Sequence, residues 1–249
     1  MSFDTDGIYD LRDEFDRRSQ SYEAASAATT TISAKDTTGS ITVTIVPGSP
    51  LEVQIGNAWA GSYSPAELGG AIVSTVTALA TQRLEEWGEA VAESDEKAEP
   101  RTRPMPPESE SPTARLRDAI EASEESPDLD AVFTDLLSIL EEVNAGLEST
   151  METIAQRTSA VHSGEDAGGR ATAVVDGSGA LVSIEFDERW LLNRSAFEVS
   201  NAANSAIAAA AQSAASEAPA NPLAGTQLER FGSMLTDPDA LSRIVLRRD

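Results

Sequence analysis

Residues 174–190 read VVDGSGALVSIEFDERW, and residues 43–59 read VTIVPGSPLEVQIGNAW. Each stretch alternates apolar and polar residues, breaks at a glycine-containing turn, alternates again and reaches a tryptophan. That is the pattern of a β-hairpin with one buried face. Trp59 and Trp190 are 131 positions apart, and the same offset pairs Ile41 with Thr172, Val43 with Val174 and Gly48 with Gly179. It then pairs Leu51, Val53 and Ile55 with Val182, Ile184 and Phe186. Beyond the tryptophans, Ser64-Pro65-Ala66-Glu67 falls on Ser195-Ala196-Phe197-Glu198. Both are S-x-x-E capping signatures, which mark helix starts. The register predicts an internal duplication of a strand-turn-strand-helix unit, running without a gap.

Before the first hairpin, Ile8, Leu11, Phe15 and Tyr22 lie at near-helical spacing and predict a helix over about 6–30. Strands are expected at about 40–46 and 51–55, with Pro47-Gly48-Ser49-Pro50 between them. A helix over about 65–89 carries Leu68, Ile72, Val76, Leu79 and Trp87 on one face. Residues 93–110 are rich in Pro, Glu and Ser and predict a solvated linker. A short helix is expected within 112–126, and a long one over about 129–161 with a broad apolar stripe from Val132 to Ile154. The second hairpin spans about 171–186, and the helix after it, about 196–216, is so rich in alanine that close packing of another backbone is expected. The tail offers short apolar segments at 228–235 and 241–246. The expected organisation is a first unit at 1–90, an acidic linker at 91–127, a second unit at 128–217 and a tail at 218–249. The fold class is α+β: two helix-hairpin-helix units in one chain, forming a pseudo-dimer with paired antiparallel sheets and long flanking helices. A unit of about 50 residues cannot bury enough surface alone, so each is expected to need the other.

Candidate chemistry is sparse. The chain has no cysteine, which excludes disulfides and thiolate metal sites. Its one histidine, His162, borders the run Ser163-Gly164-Glu165-Asp166-Ala167-Gly168-Gly169 and is expected to be a solvated loop residue. No phosphate loop, calcium loop or nucleophile-base pair is legible, so no catalytic residue, cofactor or metal ligand is assigned and a non-enzymatic protein is expected. No apolar run suggests a signal peptide or a membrane span, which leads us to expect a cytoplasmic protein without membrane association. Trp59 and Trp190, with Val53, Ile55, Ile184 and Phe186, are the expected core or interface anchors.

The segment 169–187, GRATAVVDGSGALVSIEFD, resembles the small bacterial YbaB/EbfC nucleoid-associated family, with Ile184-Glu185-Phe186-Asp187 matching its strand-end motif and Asn204-Ser205-Ala206 its helical Asn-Asp-Ala. The first unit departs from the pattern, with Gly56 in place of the aspartate and Val73 in place of the asparagine. The resemblance implies dimerisation through the sheets, here supplied within one chain, at an effective concentration of about millimolar or more. It leaves further homodimerisation optional. It also implies DNA binding. Yet 18 basic residues stand against 42 acidic ones, a formal net charge of −24, and non-specific DNA affinity comes from cations displacing counterions. Arg12, Arg17 and Arg18, then Arg243, Arg247 and Arg248, are the candidate DNA contacts. Against them stands an acidic protein-interaction or assembly module with an unidentified protein partner. It is similar to the YbaB-like accessory proteins of actinobacterial type VII secretion, and the alanine-rich, lysine-poor composition suits such a source. Charge favours the interaction module.

Overall fold

The computed structural model describes residues 5–27, 31–47, 49–97, 129–226 and 228–229. Its elements are α1 (Thr5–Ala27), β1 (Ile32–Lys35), β2 (Ile41–Ile45), β3 (Glu52–Ile55), α2 (Trp59–Ser62), α3 (Pro65–Lys97), α4 (Leu129–Ser159), β4 (Val161–Glu165), β5 (Ala171–Asp176), β6 (Leu181–Phe186), α5 (Glu188–Leu191) and α6 (Ala196–Glu217). They make an α+β protein with two three-stranded antiparallel sheets, β1-β2-β3 and β4-β5-β6. Both sheets belong to one compact unit, 1–103 with 159–218; a second unit comprises 104–158 with 219–249. The expected short helix within 112–126 and the tail segment 241–246 lie outside the described residues.

Each hairpin gains a strand that the alternation did not announce. β1 pairs with β2 and β4 with β5. Both connections open on an aspartate that organises the turn. Asp36 Oδ1 accepts from the Ile41 N–H at 2.6 Å, and Asp166 Oδ1 from the Ala171 N–H at 2.9 Å. Each turn closes on a left-handed glycine, Gly39 or Gly169. His162 therefore stands in β4, not in a loop, and is buried. The gapless offset of 131 also gives way. Val43 pairs with Val53, ten residues on, whereas Ala173 pairs with Ile184, eleven on, with a register shift at Val174/Val175. Burial agrees: Ile41 and Val43 are buried in β2, and their counterparts in β5 are Ala171 and Ala173, not Thr172 and Val174. A bulge absorbs the extra residue.

Helix α3 runs to Lys97, past the expected end near 89 and into the expected linker. Residues 90–97, AVAESDEK, contain no Gly or Pro, and their charges do not break a helix. Helix α4 stops at Ser159, two residues before β4. Helix α6 starts on a complete capping box: the Ser195 Oγ accepts from the Glu198 N–H while the Glu198 carboxylate accepts from the Ser195 N–H. At α3 the Glu67 carboxylate accepts from the N–H of Ser64, and the Glu67 N–H goes to the Ser64 carbonyl.

The core joins the inner faces of both sheets to α3 and α6, with Ile41, Val43, Val53, Leu68, Ile72, Leu79, Val175, Leu191 and Val199 fully enclosed. The alanines of α6 pack as their size predicts. Ala202, Ala203, Ala206, Ala210 and Ala214 are buried, and a Cβ on Gly164 of β4 would stand 2.1 Å from the Ala210 nitrogen. Helix and strand backbones touch there because neither side chain intervenes.

Candidate functional site

The helices cross over to the other sheet's outer strand. On α6, Ser200 and Asn204 are one turn apart and face β3. The Asn204 carboxamide exchanges two hydrogen bonds with Val53, its Oδ1 accepting from the N–H at 2.8 Å and its Nδ2 donating to the carbonyl at 3.0 Å. The Ser200 Oγ accepts from the Ile55 N–H at 2.8 Å. Side chains thus complete the edge of β3 as a fourth strand would. On α3, by contrast, Gly69 brings the helix backbone so close to β6 that a Cβ would lie 2.0 Å from the Ile184 carbonyl oxygen. A shallow groove of about 480 Å³ runs beside it, bordered by Gly70, Val73, Val182 and Phe186. The expected anchors Val53, Ile55 and Ile184 are buried at these two seams, and Phe186 is partly so.

The tryptophans take different roles. Trp59 is buried at the start of α2. Trp190 is half-buried, with the Arg170 and Arg194 guanidinium groups 5.4 and 5.7 Å from its ring centroid. Arg170 is further held by the buried Asp166 carboxylate, 2.6 Å from its Nη2. Trp87 stacks on Tyr22 of α1, centroids 5.7 Å apart, which ties α1 to the distal half of α3.

That stack sits within an exposed apolar surface. Tyr22 and Phe15 lie two turns apart on α1, 46% and 69% exposed, and Leu84, one turn from Trp87 on α3, is 67% exposed. An open depression of about 680 Å³ on α1 is lined by Phe15, Arg18, Ser19, Tyr22, Glu23 and Ser26. The arginines here are already engaged. The Arg17 Nε lies 3.7 Å from Asp95, and the Arg18 Nη2 lies 2.5 Å from Glu14. Arg12 is on α1, but its side chain, like Arg243, Arg247 and Arg248, lies outside the described residues.

The titrating groups are organised around turns. Burial opposes ionisation of Asp36, but hydrogen bonds from Thr38, Tyr63 and the Ile41 backbone outweigh it and hold its carboxyl down at about 2. The same partnership pushes the Tyr63 phenol up, Asp36 being the main cause. Asp166 is likewise lowered: burial opposes, and the N–H groups of Ala171 and Arg170 with the Arg170 side chain prevail. His162 Nδ1 has Glu217, at the end of α6, 3.6 Å away. Among the described residues no three His, Asp or Glu side chains gather as metal ligands would, and no helix is long and apolar enough to cross a membrane. What the surface offers chemically is an apolar helical face rimmed by carboxylates.

No family profile, curated protein or solved structure matches this chain.

Proposed function

We propose that the chain is a tandem, YbaB/EbfC-like protein in which a duplicated unit supplies its own partner, and that it works as an acidic protein-interaction or assembly module and not as an enzyme. The duplication is supported by the identical strand order, the paired aspartate turns and the paired S-x-x-E helix starts. The pseudo-dimer reading is supported by α6 closing β3 while α3 closes β6.

The observation that carries the interaction role is the Phe15, Tyr22, Leu84 and Trp87 surface on α1 and α3. Exposed aromatic and aliphatic side chains grouped around such a stack and rimmed by charge mark protein contacts, where aromatic anchors contribute most. Duplex DNA calls for the opposite, a cationic stripe, and both described arginines of the α1 cluster face carboxylates. The partner surface should be apolar at its centre and basic at its rim, complementing a net charge of −24. Service in a larger assembly, such as type VII secretion, follows from the resemblance and stands as the wider form of the same proposal.

The test is comparative affinity capture with the full chain and with the Phe15→Ser/Leu84→Ser variant. Both substitutions are at exposed sites, so far-UV circular dichroism and the melting temperature should stay close to those of the parent chain. The proposal expects a protein retained by the parent chain and lost by the variant; equal retention by both would overturn the assignment of this surface.

A further inference from the structure

Helix α4 carries a second apolar surface, of a different kind. Leu137, Leu140, Asn144, Leu147, Met151 and Ile154 succeed one another at alternating spacings of three and four residues. That is the seam of a heptad repeat, with Leu137, Asn144 and Met151 at one core position and Leu140, Leu147 and Ile154 at the other. The described side chains along it face solvent: Leu137 is 60% exposed, Met151 66%, Leu147 45% and Ile154 39%, and Asn144 is exposed. A helix that merely covered its own unit would bury these residues.

We propose that this seam binds a second copy of the chain, α4 against α4, as a parallel two-stranded coil in register at Asn144. Three observations select that occupant. The repeat is self-complementary, since each apolar knob finds a hole of the same kind in an identical helix. A lone asparagine among apolar core positions is satisfied by its own counterpart across a parallel, in-register pair, and it penalises other registers. The charges agree as well. Glu141 and Glu148 flank the seam on one side, and the uncharged Leu136 and Val143 hold the positions opposite them on the other. In a parallel pair the glutamates of one helix face the uncharged flank of its partner; in an antiparallel pair they would face each other. The six seam residues carry no charge, so two copies of a chain with net charge −24 meet where their repulsion is least.

The absence of cysteine makes the test direct. Sedimentation of the full chain at micromolar concentration should give twice the 26.2 kDa chain mass, falling to the chain mass for Leu147→Glu/Met151→Glu. All three tryptophans lie outside α4, so their fluorescence reports whether the rest of that variant stays folded. Asn144→Cys should oxidise to a disulfide-linked dimer, because in-register core positions bring the two Cα atoms within the roughly 4.4–6.8 Å a disulfide requires. Glu142→Cys, on the outer face, should not. A monomer at all concentrations would overturn the proposal, as would a dimer that survives Leu147→Glu/Met151→Glu or one that cross-links equally at 142 and 144.

Discussion

The Asn204 carboxamide pairs with both backbone groups of Val53, donating at 3.0 Å and accepting at 2.8 Å across 151 residues of sequence. One side chain thereby closes a strand edge that water does not reach, Val53 being fully buried. Asn204→Ala leaves a buried N–H and carbonyl unpaired, at a cost of about 1–3 kcal/mol per group. Urea denaturation should show a loss of about 2 kcal/mol or more. A loss of under about 0.5 kcal/mol, the level of an ordinary surface change, would mean that the pair is not maintained in solution.

Neighbouring glycines of α3 should respond with opposite signs. A Cβ on Gly69 would meet the Ile184 carbonyl oxygen at 2.0 Å, whereas one on Gly70 meets nothing within 4 Å. Gly69→Ala must push α3 off β6 and should destabilise by about 1–3 kcal/mol. Gly70→Ala relieves only the helical penalty of glycine and should stabilise by about 0.5–1 kcal/mol. Thermal melts of the two variants should therefore move in opposite directions.

Much of the fold is legible in the sequence. Alternation marks β2, β3 and β5, whose buried residues recur at every second position, and the serine-glutamate pairs mark the starts of α3 and α6; in β6 the irregularity spaces the buried Leu181 and Ile184 three apart and leaves Val182, read from sequence as inward-facing, exposed. β1 and β4 escaped because each is short and buries a single larger side chain, Ile32 or His162, which sets no period. The bulge at Val174/Val175 escaped because alternation resumes after it with the same apolar residue types. The sequence places residues 93–97 in a linker because they are rich in Glu and Ser and lack large apolar side chains, yet Ala, Glu and Lys are good helix formers and α3 continues to Lys97. For the candidate surface, Arg17 and Arg18 could be named from sequence. That Asp95 faces Arg17 could not, since the pairing depends on α1 lying along α3.

The aspartate turns predict an acid limb in the stability profile. The Asp36 carboxyl is depressed to about 2 in the folded chain, and that of Asp166 is lowered, against about 3.9 for an unfolded aspartate. A depressed carboxyl contributes stability that is present above the unfolded value and is lost as pH falls toward the folded one. The melting temperature contributed by these turns should be level above about pH 5 and drop between about pH 4 and 2. In Asp36→Asn/Asp166→Asn the neutral-pH stability should fall and that drop should shrink. An unchanged acid limb would show that other carboxylates govern it.

Fluorescence anisotropy of a labelled duplex, titrated with the full chain from about 20 to 200 mM salt, separates protein contact from DNA binding at this surface. A surface for protein contact implies no DNA binding at any salt concentration, because 42 acidic residues outnumber 18 basic ones and Arg17 and Arg18 are already paired. Binding that weakens steeply with salt and disappears when Arg12, Arg17 and Arg18 become alanine would contradict it.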